Sequence, residues 1–388
     1  MPKPIRKKTK PPKKKKCLWN GPVKDGVTNS LLTRFSCCRE RFRLYAVEGL
    51  REDEGYKDAI EWGNFWHEAE EALARGIDWK RVLSKYQNTL RSQYGSSHDA
   101  EIRRDYRAVS TMFPLYIDHW KDHGEQKKMQ SIFQEASFRV PYNGIVLRGK
   151  WDSVYRVGKS KNIYLMEHKT KGRIDEHAIL KTLSANQQTM IYQITLQLFI
   201  DGHGTIDNLS PKKVEAFRKS LKGCKVQGVL YNVILRPKIG QYGFRQRKGR
   251  VVQGKLKGAE TEKQFYNRVS ESIAEKSNEY FFRWKAEVSA EDRDKFCQRT
   301  LDPILTNLKI WWASIEDDPF NPWESGAMAF DENGEPVSVG NDLHWQAPWG
   351  SYNSLAGGFR GDYFEYLTDG STTNLKSVST LYPELDTV

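Results

Sequence analysis

The sequence has few cysteines and lacks a long apolar run. Five cysteines occur among 388 residues and, apart from the adjacent Cys37 and Cys38, they show no paired spacing. A disulfide framework is therefore not indicated, and a reducing compartment is favoured. No apolar stretch approaches the roughly twenty residues of a membrane-spanning helix, no apolar segment follows the basic N-terminus as in a secretory signal, and no internal repeat is present. We therefore expect a cytoplasmic protein without a membrane segment.

Positive charge is concentrated at the N-terminus. The net charge is +13, but Met1–Lys16 holds nine lysines or arginines and no acid, so the remainder carries +4. Four prolines within this segment disfavour a helix, and residues 1–20 are predicted to be a disordered basic tail. Such a tail would add salt-sensitive phosphate contacts. A nuclear-import signal and a solubility tail are alternatives that composition does not separate.

Apolar periodicity and turn residues divide the rest of the chain. We predict an N-terminal helical region at 21–130, an α/β core at 131–240, a basic loop with helices at 241–316, and an irregular extension packed on the core at 317–388. The predicted helices are Ser30–Val47, Ala59–Arg75, Trp79–Gly95, Ser97–Gly124, Thr182–Ile200, Thr261–Trp284 and Ala290–Ile315. The predicted strands are Ser131–Val140, Val146–Val157, Ile163–Glu167 and, as the closing strand, Val226–Leu235.

Two acids lie at matching positions of a predicted hairpin. The midpoint between Asp152 and Glu167 falls at Lys159 and Ser160, within the turn formers at 158–162, so an antiparallel pair would place the β-carbons of the two acids roughly 5 Å apart. Lys169 shares the face of Glu167, because side chains alternate along a strand. Two carboxylates at that distance repel unless a cation lies between them, and a hard divalent cation fits. The alternative is a surface salt bridge of little energetic value.

These residues belong to a longer series of motifs. The series is Gly63 and His67 on one predicted helix, then Gly149-Lys150-Trp151-Asp152, Glu167-His168-Lys169-Thr170, and finally Gln188 and Tyr192 four residues apart. In this order the motifs resemble the PD-(D/E)XK nucleases, specifically their RecB-like branch, over roughly Asn29 to Ile234. The resemblance implies an α/β fold with a restriction-endonuclease-like core, in which helices flank a mixed central sheet. A helical insert and an irregular C-terminal extension would be added to it.

The resemblance also implies roles for individual residues. Asp152, Glu167 and Lys169 would be catalytic, and the metal ligands would be Asp152, Glu167, the backbone carbonyl of His168, and His67. Glu135, Gln188 and Tyr192 are secondary candidates. A lone histidine on a helix is more often structural, and Glu135 would equally suit an exposed edge strand.

The expected function is metal-dependent hydrolysis of DNA. The resemblance implies Mg²⁺ or Mn²⁺ as cofactor and single- or double-stranded DNA ends as partner, with an exonuclease acting in DNA processing or recombination. Some relatives hold an iron-sulfur cluster through a C-terminal cysteine triplet, but Cys224 and Cys297 stand alone, so no cluster is expected. Alternatives are a catalytically inactive nuclease fold that binds DNA, a structure-selective endonuclease, and an interaction protein that works through its basic tail.

Overall fold

The structure is a computed structural model of the chain. It describes residues 16–37, 39–52, 55–122, 129–158, 160–175, 186–238, 245–247, 250–252, 260–320, 328–330, 336–338, 375–382 and 385. Residues 1–15 of the predicted basic tail, much of the predicted basic loop and most of the predicted C-terminal extension therefore lie outside the described residues. The last residues of the predicted tail are described, and Trp19 among them has no exposed surface. Among the helices that are described, none is long and apolar enough to cross a membrane.

The helices follow the predicted apolar periodicity closely in the first half of the chain. They are α1 (Asn29–Cys37), α2 (Arg39–Phe42), α3 (Asp58–Ala74), α4 (Trp79–Tyr94), α5 (Asp99–Asp122), α6 (Gln187–Ile200), α7 (Pro211–Ser220), α8 (Glu262–Glu275), α9 (Ala290–Phe296) and α10 (Asp302–Ile315). π-Helical turns occupy Arg43–Val47 and Cys297–Leu301, and 3₁₀ turns occupy Ser96–His98 and Ser277–Glu279.

Among the described residues, the strands form one six-stranded sheet and three short two-stranded ladders. They are β1 (Leu50–Glu52), β2 (Met129–Tyr142), β3 (Ile145–Val157), β4 (Asn162–Lys171), β5 (Thr205–Ile206), β6 (Lys225–Leu235), β7 (Arg245–Arg247), β8 (Arg250–Val252), β9 (Phe281–Glu287), β10 (Met328–Phe330), β11 (Pro336–Ser338) and β12 (Leu375–Ser377). The order in the large sheet is β5-β2-β3-β4-β6-β9. Pairs β2–β5, β3–β4 and β6–β9 are antiparallel, and β4–β6 is parallel. The predicted mixed α/β sheet flanked by helices is confirmed.

Some sequence predictions of local structure are wrong. The helix predicted at Thr261–Trp284 ends at Glu275, and Phe281–Glu287 forms strand β9 on the outer side of β6, so β6 is not the closing strand. A short apolar run has no decisive periodicity, and here pairing with β6, which sets Phe281 opposite Ile234, determines the outcome. The helix predicted at Ser30–Val47 ends in a π-helical turn, and the helix predicted at Ala290–Ile315 is interrupted by one.

The chain divides into two compact units. One comprises Met1–Asp53, Pro141–Arg148 and Gln298–Val388, and the other comprises Glu54–Val140 and Gly149–Cys297. In the first unit, edge-to-face contacts join the aromatic rings of Phe35, Phe42 and Trp311. Strand β1 there pairs antiparallel with β12.

The second unit contains nearly all of the six-stranded sheet and the helices α3 to α9. Helix α3 is fixed by Trp66, which has no exposed surface and contacts Phe113, Tyr116 and Phe281. Burying an aromatic side chain of this size contributes several kcal/mol, on the order of 3–5 when judged by truncation to alanine. Because His67 follows Trp66, this packing also determines where the histidine ring lies.

Candidate metal centre

Strands β3 and β4 separate at the two acids that the spacing singled out. Their ladder runs from Arg156–Ile163 to Ser153–Met166, and the same register continued by one residue would place Asp152 opposite Glu167. There the ladder stops, and the backbone N–H of His168 donates instead to Oδ2 of Asp152, 3.1 Å away. Strand β4 nevertheless stays paired with β6 as far as Lys171. The sheet is therefore open between residues 149–152 and 167–171, a gap that we call the strand opening.

Three potential ligands converge at the strand opening. His67 of α3, Glu135 of β2 and Asp152 of β3 each present one ligand atom, and these atoms all lie within 4.8 Å of one another. Burial is the main cause that lowers the pKa of His67, so the imidazole is neutral near pH 7 and has a nitrogen lone pair for a metal. An imidazole together with carboxylates is a donor set that suits a divalent cation.

Glu135 is directed into this cluster by an irregularity of β2. Its φ of 50° lies in the left-handed region, which is rare for a residue with a side chain. Phe133 and Phe138 both contact Trp151, although residues five apart lie on opposite faces of a regular strand. An extra residue at Glu135 resolves this conflict, as in a β-bulge. With 7% of its surface exposed, Glu135 is buried and is not the exposed acid considered from the sequence.

The side chain of Asn208 holds the backbone on both sides of the irregularity. Its Nδ2 donates to the carbonyl of Glu135 at 2.6 Å, and its Oδ1 accepts from the N–H of Ser137 at 3.0 Å. These bonds offset the strain of the positive φ. Asn208 was not identified from the sequence, because a single asparagine some seventy residues from its partners carries no local signal.

We expect Asn208→Ala to weaken metal binding without removing a ligand. Loss of the two hydrogen bonds frees the backbone at Glu135, and loss of a residue that orients a ligand typically lowers metal affinity about 10- to 100-fold. Isothermal titration with Mn²⁺ measures this effect, and thermal melting measures the accompanying stability loss of about 1–3 kcal/mol. An unchanged Mn²⁺ affinity would show that Glu135 is not a ligand or does not need this support.

Glu167 and Lys169 form an ion pair at the edge of the cluster. Oε2 of Glu167 lies 3.0 Å from Nζ of Lys169 and accepts from Nε2 of Gln188 at 3.5 Å. Glu167 is 1% exposed, so this is not the surface salt bridge considered as the alternative. Burial and then the charge of Asp152 raise the pKa of Glu167 to about 7. Although burial lowers the pKa of Lys169, the Glu167 and Asp152 carboxylates raise it above its ordinary value, so the amine stays protonated.

A second lysine, Lys150, pairs with Glu135. Burial and then Asp152 raise the pKa of Glu135 to about 7, even though Lys150 acts in the opposite direction. Each of the two buried glutamates at the opening therefore has its own lysine partner and a pKa near neutrality. The sequence motif contains Lys150, but its pairing depends on the course of β2 and was not predicted.

Helix α6 packs closely beside β3. A Cβ atom on Gly149 would lie 2.6 Å from the Phe138 ring and 3.0 Å from the Tyr192 ring, so only glycine fits there. Trp151 Nε1 donates to the carbonyl of Tyr192 at 3.2 Å. The Tyr192 hydroxyl interacts with Gln188 and with the backbone of Lys150. Gln188 and Tyr192 thus connect α6 to both sides of the strand opening.

The side chain of His168 lies on the other face of β4. Its Nδ1 is 3.3 Å from Oε1 of Glu70 and 2.9 Å from Nδ2 of Asn232. Burial acts to lower the pKa of His168, but Glu70 raises it above its ordinary value. The predicted role of His168 is through its backbone, and the backbone N–H does contact Asp152. Glu70 and Asn232 were not identified from the sequence, although Glu70 follows His67 by one helical turn.

The residues at the opening fit a divalent metal ion. Oε1 of Glu167 is buried and has no hydrogen-bond partner among the described residues, an arrangement that is costly unless a ligand occupies that position. Among the described residues, Glu167 does not belong to the close group of His67, Glu135 and Asp152. Its carboxyl group nevertheless interacts electrostatically with Asp152. Of the predicted ligands, the structure therefore brings His67 and Asp152 together, adds Glu135, and leaves Glu167 adjacent.

Comparison with known proteins gives one match. The sequence model of the PD-(D/E)XK nuclease superfamily matches residues 27–303, which include the strand opening and the whole six-stranded sheet. The comparison with curated proteins returned no match. The mixed sheet with flanking helices is consistent with a restriction-endonuclease-like fold, and nucleases of this superfamily typically use divalent metals. From the extent of this match and the fold that accompanies it, the chain belongs to the PD-(D/E)XK nuclease superfamily.

Proposed function

We propose that the protein is a metal-dependent DNA nuclease of the RecB-like type, which degrades DNA from its ends during DNA processing or recombination. The observation that carries the proposal is the convergence of three potential ligands, His67, Glu135 and Asp152, with the buried Glu167–Lys169 pair at the strand opening. The order of the motifs supports the RecB-like branch, since Gln188 and Tyr192 of α6 lie beside the acids.

The ligand set supports Mg²⁺ or Mn²⁺ as the metal. Three carboxylates supply oxygen, the donor that both ions prefer, while the imidazole of His67 is better suited to Mn²⁺. We include Glu167 through its unpartnered Oε1, and the backbone carbonyl of His168 as a further oxygen. When bound, the metal supplies neutralisation of charge on the scissile phosphate and a lowered pKa for an attacking water.

Lys169 acts on the reacting groups as a fixed positive charge. Its raised pKa keeps it protonated near pH 7, so it is not a general base in the resting protein. A protonated amine beside the ligands stabilises the additional negative charge that develops on the phosphate in the transition state. It also orients the attacking water by donating a hydrogen bond. Gln188, which contacts Glu167, holds the carboxylate in place.

Degradation of DNA in the presence of metal tests the proposal. Purified protein is incubated with linear and closed-circular DNA, single- and double-stranded, in Mg²⁺, in Mn²⁺ and in excess chelator. We expect loss of linear DNA in either metal, intact closed circles, and no cleavage in chelator. Release of mononucleotides or short oligonucleotides from the ends, followed with end-labelled DNA, distinguishes an exonuclease.

Two alternatives give different results in the same assay. A structure-selective endonuclease would cut closed circles that contain flaps or junctions, and a catalytically inactive DNA-binding protein would retard DNA on a gel without cutting it. The paired lysine and glutamate argue against the second alternative, because a binding protein has no need of a buried carboxylate whose pKa is near 7. Absence of cleavage in both metals would refute the proposed activity.

A further inference from the structure

A cavity of about 300 Å³ lies near the strand opening. Helices α3, α5 and α8 supply Trp62, Arg104 and Phe265 to its wall, and the segments that follow β4 and β6 supply Gly172 and Arg236. All of these residues belong to the unit that contains the metal centre. The volume is at the lower end of the range for small-ligand pockets, which is the size of a single nucleotide's base and sugar.

The cavity lies on the side of the strand opening where β4 continues beyond its pairing with β3. Gly172 follows Lys169 by three residues, just beyond the end of β4, an extended distance of roughly 10 Å. Trp62 precedes His67 by five residues on α3, roughly 7–8 Å along the helix axis. A strand of nucleic acid with one phosphate at the metal centre would therefore bring a nearby nucleotide to the cavity.

The charge of the cavity wall favours an anionic ligand. Arg104 pairs with both acids in the wall, at 2.7 Å from Asp58 and 3.1 Å from Asp105, so their charge is partly compensated. Arg236 and Lys238 form no ion pair within the described part of the chain. The Arg236 guanidinium lies against Gly172, with NH2 only 3.1 Å from where a Cβ atom would be. Two cations are thus available to a phosphate.

The wall also offers aromatic surface. Phe265 and Tyr266 are partly exposed and contact each other at 4.9 Å. Trp62, which stacks on Trp66 at 5.5 Å, is 3% exposed and lies behind them as buried support. Cations interleaved with aromatic rings are the combination by which proteins bind single strands, since every base has a face that stacks on an aromatic ring. A base within a duplex is already stacked on its neighbours and paired, and does not present its faces to such a wall.

We propose that this cavity binds one unstacked nucleotide of a single-stranded DNA end, with Phe265 against the base and Arg236 against the phosphate. The inference rests on the proposed nuclease function and names its substrate class. Duplex ends would then be processed only after the terminal base pairs have opened. Phe265 and Arg236 bind substrate here and take no part in bond cleavage.

The proposal is tested by comparing the DNA affinities of the unaltered protein and its variants in the absence of metal. Anisotropy of a labelled oligothymidylate of about twelve nucleotides is measured in chelator, so that cleavage does not interfere. We expect Phe265→Leu, which keeps an apolar side chain for folding, and Arg236→Gln each to weaken binding about tenfold. Lys213→Ala removes an exposed cation on α7 and is the matched control, expected to stay within about twofold.

Oligonucleotides with one abasic position identify the contact. For the unaltered protein, one abasic position should weaken binding about tenfold, and for Phe265→Leu the same position should matter less than about twofold. The proposal would be overturned if no abasic position changed the affinity of the unaltered protein. It would also be overturned if Phe265→Leu weakened binding to intact and abasic strands by the same factor. Because no cleavage is involved, these outcomes are distinct from failure of the proposed nuclease activity, which the assay in Mg²⁺ or Mn²⁺ detects.

Discussion

Lys169→Ala is expected to reduce metal-dependent DNA cleavage roughly a hundred- to thousandfold while leaving Mn²⁺ affinity nearly unchanged. The amine lies 3.0 Å from Glu167 but is not itself a ligand, so its removal takes away transition-state stabilisation and not the metal. Single-turnover cleavage of end-labelled DNA at saturating Mn²⁺ measures the chemical step, and calorimetry measures metal affinity separately.

Matched variants make this prediction specific. Asp152→Ala should also abolish cleavage, but with a large loss of Mn²⁺ affinity, because Asp152 lies within the ligand cluster. Lys169→Arg keeps the positive charge and should retain part of the activity, although its planar head does not reproduce a compact ammonium. Cleavage that survives both Lys169→Ala and Asp152→Ala would mean that another site or a contaminant cuts the DNA.

Glu167→Gln is expected to inactivate the protein and at the same time to stabilise the metal-free fold at alkaline pH. Glu167 is buried and its pKa is raised from 4.5 to about 7. A carboxyl group whose pKa is higher in the folded state than in the unfolded state makes stability fall as pH rises between the two values. The metal-free protein should therefore lose on the order of 3 kcal/mol from this group between about pH 4.5 and 7.

Glutamine removes that loss, because it has no charge to bury. Near pH 5 the two proteins should have similar stability, and at pH 8 the variant should be more stable by about 2–3 kcal/mol. Urea unfolding in chelator at several pH values measures the difference. In saturating Mn²⁺ the unaltered protein should become more stable than Glu167→Gln, since a ligand stabilises only the protein that binds it well. A variant that is less stable at pH 8 would show that the Lys169 ion pair outweighs the burial of the Glu167 charge.

The hairpin and its acids were predictable because the required information is local. Turn residues at 158–162 fix the register of β3 and β4, and alternation along β4 then places Glu167 and Lys169 together. The family motif added His67, which the structure places beside Asp152. The mixed sheet was expected from the family resemblance, and its longer strands were predictable from β-branched and aromatic residues bounded by turn formers.

Features that depend on distant partners were not predictable. The turn of Glu135 into the cluster requires Asn208, far along the chain, and the strand character of Phe281–Glu287 requires the free edge of β6. Glu70 and Asn232 were missed because a buried polar pair looks, in sequence, like two unrelated surface residues. Asn232, for example, has no exposed surface although it is an amide within an apolar strand.

The pairing of β1 with β12 has a consequence for the order in which the protein assembles during synthesis. Leu50–Glu52 cannot form its ladder until Leu375–Ser377 has been translated. At roughly 5–20 residues per second, the two segments are made tens of seconds apart. The unit that carries the candidate metal centre ends at Cys297. Translation therefore completes the unit that holds the candidate metal centre well before β1 can pair with β12.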